Sequence, residues 1–316
     1  MHKKSRVNIR AFKFFYIIGW IIKYCVTHWT NFAVLSRMNS GIPNGGKSTL
    51  PKSYTYEYFT NKNPVAKKHF VEYVKIPRMS ANKTKHLITT LLKQAGNNKM
   101  VFKPDRGIRS IGVVATNNGD EIETLLNAAK TDYIAQRYID YTYELGVFYY
   151  KYPTWKKGKI MGIAERTFDE IADPSKKEQY TNRDELITPQ LLNEFNKIVS
   201  DREVCFCRFD VRAKSLEDFK RGKNFWILEA NAGPDAVALH ALDKNYPWKK
   251  QLRLYSESYR HAFNIAELNK NKPRTGLIKY FYYMISDVMP LFFLRLRVRK
   301  IIDRYKKRIN SITSYK

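Results

Sequence analysis

Apolar positions fall into short runs whose spacing changes along the chain from about 3.6 residues to two. Residues 204–211 alternate bulky with small or polar groups, and Phe225-Trp226-Ile227-Leu228 is an unbroken apolar run. Both patterns predict strands. Residues 214–224 between them are polar and end in Arg221-Gly222-Lys223-Asn224, which predicts a hairpin-type turn. Further strands are expected over 100–103, 133–139, 143–150 and 159–166. Helices are expected over 84–95, with Leu87, Leu91 and Leu92 on one face and Gly96 as the stop, and over 121–130, 190–201 and 246–266. Residues 54–80 are Tyr-rich, and 70–77 alternate only loosely. Residues 169–190 are charged with little apolar content.

Pairing the strands around 204–211 and 225–231 would set Asp210 beside Glu229. Asn231, two residues further, would share the face of Glu229 because side chains alternate along a strand. Two carboxylates and a carboxamide oxygen on one surface suit Mg2+ that is also held by phosphate oxygens. The plainer alternative is a pair of surface acids on an ordinary hairpin. Upstream, Pro104 ends the strand that carries Lys103, and a loop from Gly107 to Gly112 follows, with Arg106, Arg109 and Ser110. Backbone N–H groups, a hydroxyl and guanidinium forks are what triphosphate oxygens require. A basic hairpin turn is the alternative there.

Charge changes the picture at the two ends. The formal net charge is +28, and residues 1–37 with residues 270–316 hold +18 of it. The N-terminal stretch mixes Phe14-Phe15-Tyr16-Ile17-Ile18 and Trp20-Ile21-Ile22 with Lys13, Lys23 and His28. Its uninterrupted apolar run is too short to span a bilayer, and no small-residue cleavage site follows. Aromatics interleaved with cations suit a helix lying in the headgroup region of an anionic membrane. A helix packed on the domain and a tilted spanning helix are the alternatives. The tail, 277–302, threads Arg295, Arg297, Arg299 and Lys300 through apolar residues and fits the same surface; RNA is the rival partner. The three cysteines cannot build a disulfide framework, and reduced thiols in a cytoplasmic compartment are expected. Residues 39–49 match the Walker A spacing formally. The preceding 31–38 is a poor strand and Pro51 would interrupt a following helix, so a turn packing the N-terminal segment onto the domain is the preferred reading.

Arg208-Phe209-Asp210 followed by Glu229-Ala230-Asn231-Ala232-Gly233-Pro234 resembles the metal-binding end of the ATP-grasp ligases, the superfamily of D-alanine–D-alanine ligase. Residues 101–113 resemble that superfamily's lysine strand and glycine-rich phosphate loop, and the match covers roughly 85–240. The whole chain is similar to a set of bacterial ATP-grasp proteins. The resemblance implies an α+β ATP-grasp fold, in which two α+β subdomains grip ATP, with aromatic and basic helical extensions at both ends. It divides the chain into an N-terminal segment (1–50), a reduced pre-ATP-grasp region (51–98), the ATP-grasp domain (99–266) and a basic tail (267–316).

By this resemblance Lys103, Gly107, Arg109, Ser110 and Gly112 would hold the phosphates. Gln136, Arg137, Tyr138 and Ile139 would line the adenine edge, and Glu144 would hold the ribose. Gln136 stands where the superfamily usually has Glu, and Arg166 where many relatives place a phosphate-binding Lys. Asp210, Glu229 and Asn231 would bind Mg2+ (two ions), and Arg208 with Arg166 would act in catalysis. The implied activity joins a small-molecule carboxylate to an amine or thiol through an acyl phosphate, and the basic aromatic ends add the expectation of a place at the inner face of the membrane. His240 and Asp243 could serve an acceptor pocket or be ordinary solvated helix residues. A catalytically silent ATP-grasp-like protein that binds membrane or nucleic acid is the rival.

Overall fold

The computed structural model describes residues 9–46, 50–78, 87, 90–91, 93, 96, 98–107, 112–167, 179–201, 203–233, 241, 243 and 245–282, with the backbone alone for 9–14. The fold is α+β, with two antiparallel sheets. In the first, β1 (Tyr73–Ile76), β2 (Met100–Pro104), β3 (Val114–Thr116) and β4 (Tyr133–Arg137) lie in the order β1-β4-β2-β3. In the second, β5 (Tyr143–Tyr150), β6 (Lys159–Thr167), β7 (Gln179–Asn182), β8 (Phe206–Ala213) and β9 (Phe225–Asn231) lie in the order β7-β6-β5-β8-β9. The labelled helices are α1 (Ile9–Thr27), α2 (Lys52–Lys62), α3 (Pro64–His69), α4 (Gly119–Asn127), α5 (Pro189–Ile198), α6 (Leu216–Lys220) and α7 (Trp248–Leu268).

Local chemistry sets several boundaries. Asn118 caps α4 by accepting from the N–H groups of Asp120 and Glu121, and Thr188 and Ser215 cap α5 and α6 in the same way. The main core lies on one face of the second sheet. There Cys207, Phe209, Val211 and Ala213 of β8 meet Phe195 of α5, Phe219 of α6 and Phe59 of α2. The alternate residues of β8, Arg208, Asp210 and Arg212, are only half-buried and share the other face. The first sheet has its own core, in which Phe102, Ile122, Leu126 and Leu91 are buried together.

Three expectations are corrected. The stretch 54–80 holds α2, α3 and β1. Helix α2 has no apolar stripe of its own, burying Ser53, Thr55 and Thr60 beside Phe59, so hydrophobic spacing gives no sign of it. Its first turn is held from a distance: the Asp105 carboxylate accepts from Ser53 N–H at 2.8 Å and Ser53 Oγ at 2.8 Å. Pro51 precedes this helix instead of breaking it. Second, the charged stretch contains β7, paired to β6. Third, the 214–224 connection is a short helix, α6, with the left-handed turn confined to Gly222 and Asn224.

The glycine-rich 39–46 loop is a clasp, as the turn reading expected. Phe32–Arg37 is a 3-10 helix, not a strand. Asn39 is fully buried; its amide donates to Gly45 O, Phe206 O and Ala232 O, and its Oδ1 accepts from Cys205 N at 2.7 Å and Phe206 N at 2.9 Å. Gly46 adopts φ 82°, and a Cβ there would lie 2.4 Å from Ala232 O. Residues 47–49, the end of the Walker-like match, lie outside the described residues. Truncating Asn39→Ala strands several buried backbone groups at once, so it is expected to cost about 3–5 kcal/mol in urea denaturation. A loss below about 1 kcal/mol would contradict the clasp.

Candidate active site

Strand β9 carries a bulge that makes the site. Asp210 pairs with Glu229 and Val211 with Ile227, so Leu228 is the extra residue. The slip puts Glu229 and Asn231 on the half-buried face shared by Arg208, Asp210 and Arg212. The Arg208 guanidinium grips Asp210 with a two-pronged fork, Nε to Oδ1 at 2.7 Å and Nη2 to Oδ2 at 3.0 Å. Asn231 Nδ2 donates to Asp210 Oδ2 at 3.0 Å, so the three residues form one connected group. Burial alone would lower the Arg208 pKa, but Asp210 more than offsets it and holds the guanidinium firmly charged.

The first sheet meets this face through lysines. Lys103 of β2 is buried, and its Nζ donates to Leu228 O, the bulged residue, at 3.0 Å. Burial lowers its pKa to about 8, against the opposing pull of Glu229. Lys52, in the first turn of α2, was not anticipated. Its Nζ donates to Glu229 Oε1 at 2.9 Å and to Gly107 O at 2.9 Å. Burial works to raise the Glu229 pKa, yet Lys52 and Lys103 together hold this carboxyl below the usual range. Asp105, which caps α2, precedes Gly107 by two residues, so a single anchored corner sets both Lys52 and the start of the glycine loop.

Glu144 of β5 lies on the same face, with β8 between it and β9. It accepts from Arg166 Nη1 at 2.8 Å and Arg212 Nη2 at 3.3 Å. Arg212 also donates to Ile139 O at 2.9 Å and lies over the Tyr138 ring, which fixes the segment crossing from one sheet to the other. Arg137 stacks 4.1 Å over Trp226. Gln136 is placed differently: its buried amide donates to Val71 O at 2.9 Å, and its backbone lies within the β4 ladder.

Thus Arg208, Asp210, Glu229 and Asn231 gather at one end of the second sheet, with Lys103 of the first sheet held against Leu228, while Glu144 and Arg166 form a second pair on the same face. Gly107 is tied to them through Lys52, and Arg137, Tyr138 and Ile139 form one edge. The side chain of Gln136 is committed to Val71. Gly112 stands at φ 76° against Pro104 and Tyr133, a conformation suited to glycine. Arg109 and Ser110 lie outside the described residues, as does His240. Asp243 is buried, accepting from Asn182 N at 2.8 Å and Asn245 N at 2.8 Å, and so is no solvated helix residue.

The donors fit a divalent cation in kind: two carboxylates and one carboxamide, all hard oxygen ligands, on one face. Three cations, Arg208, Lys52 and Lys103, now offset their charge. Among the described residues no cluster of three His, Cys, Asp or Glu side chains forms a metal site by itself.

No protein-family model matches the sequence, and no curated protein matches it. In structure the chain is similar to a D-cycloserine synthetase, DcsG, at 12% identity and a TM-score of 0.47, over 69% of this chain and 71% of that one. It is also similar to D-alanine–D-alanine ligase from Bacillus anthracis, at 16% identity and a TM-score of 0.48, over 71% and 70%. A third similar structure is the ATP-grasp ligase PsnB in complex with a minimal precursor, at 12% identity and a TM-score of 0.40; there 66% of this chain covers 61% of that one.

Proposed function

We propose that this chain is an ATP- and Mg2+-dependent ligase that joins a carboxylate to an amine, or to a thiol, through an acyl phosphate. The observation that carries the reading is the buried Lys103 of one sheet, set against the carboxylate end of the other at Leu228 and Glu229. A buried ammonium facing a carboxylate-lined surface suits triphosphate oxygens and their counter-ions, and has no role in a plain structural core. Asp210, Glu229 and Asn231 would hold Mg2+, which when bound withdraws charge from the phosphoryl oxygens.

Lys103 and Arg166 bind the terminal phosphates and offset the charge that spreads over them during transfer. A substrate carboxylate oxygen attacks the γ-phosphorus as its bond to the ADP oxygen breaks. The amine then attacks the acyl carbon, loses a proton, and inorganic phosphate departs. Arg208, held beside this face by its fork to Asp210, steadies the oxyanion of that second step. Arg137, Tyr138 and Ile139 take the base edge and Glu144 the ribose hydroxyls. Lys52 holds Gly107 and Glu229 in their present places, so Lys52→Met is expected to weaken nucleotide binding about tenfold, the worth of roughly one charge-assisted hydrogen bond. Unchanged affinity for ATP in a titration would contradict that role.

The reading includes a peripheral place at the inner face of an anionic membrane, supported by the cations gathered at both ends. One observation favours the silent alternative: Lys52 and Arg208 already neutralise the two acids. Hydroxylamine trapping separates the two. A carboxylate panel with ATP and Mg2+ is expected to yield a hydroxamate and ADP for at least one acid, and a silent scaffold yields neither with any.

A further inference from the structure

Helix α1 has two apolar faces, one packed on α7 and the other exposed to solvent. Tyr24 and Trp20 pack on Phe263 of α7, at 4.3 and 6.1 Å between ring centroids, and Ile17 joins the cluster around Tyr255. The opposite face carries Phe15, Ile18, Ile22 and Val26, spaced three and four residues apart, so they form one stripe along the helix. All four are exposed, Phe15 to 68% and Val26 to 70%. A Cβ added at Gly19, on the same face, would touch nothing within 4 Å. Trp29, just past the helix end, is 98% exposed.

A second exposed apolar group lies on the helical residues 277–282. The helical residues 277–282 are seated by Tyr280, which is buried against Phe32 at 5.9 Å, while Ile278 stands 87% exposed beside Leu277, Phe281 and Tyr282. A helix apolar all round is stable where both faces leave water, in a core or in lipid. Nothing acidic interrupts α1, Lys23 and Lys279 lie within these groups, and the two chain ends carry most of the positive charge. That charge selects an anionic bilayer as the occupant, over a second copy of this equally basic chain.

We infer that the Phe15–Ile18–Ile22–Val26 stripe of α1, with Trp29 just past its end, is an insertion face that enters the headgroup and acyl boundary of an anionic membrane while Trp20 and Tyr24 hold the helix to α7. The inference rests on the peripheral reading above and adds to it a defined apolar contact, independent of the ligase chemistry. No described helix is long and apolar enough to cross a membrane, so the contact is in the plane of the surface.

The test is flotation of the full chain with vesicles of phosphatidylglycerol and phosphatidylcholine, for the native sequence and for Phe15→Gln/Ile22→Gln/Val26→Gln. Gln keeps the helix, and the replaced side chains face solvent, so the thermal midpoint should not move. The native chain is expected to float with anionic vesicles and to keep part of that binding in 0.5 M salt. The triple variant should lose at least about tenfold in partitioning, since three apolar side chains that would leave water are replaced by polar ones. Equal flotation of the variant overturns the insertion face and leaves attraction by charge alone. If the native chain fails to float, dimerises through this face or is captured only by RNA, the peripheral reading falls with it.

Discussion

Replacing Asp210→Asn together with Glu229→Gln is expected to reduce Mg2+-dependent ATP turnover by about 10³-fold or more, with the fold retained, because these carboxylates hold the counter-ions of the reacting phosphates. Each substitution keeps shape and removes one negative charge. Arg208 and Lys52 lose their ionic partners, at 2.7 and 2.9 Å, and at position 210 the amide keeps one acceptor oxygen where the carboxylate offered two. These pairs are largely buried, so a stability loss of about 1–3 kcal/mol is expected, which a folded domain tolerates. Steady-state phosphate release and a thermal melt together give the answer. Turnover within threefold of the native rate would remove the two acids from the chemistry.

The second large effect concerns Lys103. Its Lys103→Met replacement keeps the packing volume and removes the charge that faces the phosphates, and a loss of about 10²–10³-fold in turnover is expected. Stability should move the other way or not at all. Burial lowers the Lys103 pKa to about 8 in the folded chain, below the ordinary lysine value. The unfolded chain thus binds the extra proton above pH 8. The cost of keeping this lysine charged is full below about pH 8 and fades as pH rises toward 10.5. At neutral pH the methionine variant is expected to melt no lower than the native chain, a signature of a group retained for function. A lower midpoint with unaltered turnover would mark Lys103 as structural.

The placement of Asp210 opposite Glu229 was legible because alternation in two apolar strands leaves little choice of register. Strands β2, β4, β5, β6, β8 and β9 were legible from their apolar runs, whereas the short β1, β3 and β7 were not. The bulge at Leu228 was not, although it decides how Trp226 and Glu229 come to share a face; no single residue type marks a bulge. Lys52, Asp105 and Asn39 were hidden for another reason. Their partners lie 177, 52 and 167 residues away, and the helix that carries Lys52 has no periodic apolar stripe to announce it. Asn39 sat within a Walker-like spacing whose glycines serve a tight approach to Ala232, so the same residues carried a misleading and a true signal. Gln136 looked available for a base until Val71 was seen to take its amide.

Calorimetric titration of the native chain with ATP, in Mg2+ and in EDTA, tests most directly the claim that facing sheets hold a metal-dependent nucleotide site. Saturable binding at one site is expected in Mg2+, weakened at least tenfold in EDTA and, to a similar degree, in the Asp210→Asn/Glu229→Gln variant. Equal affinity in both buffers, or no binding in either, would contradict it.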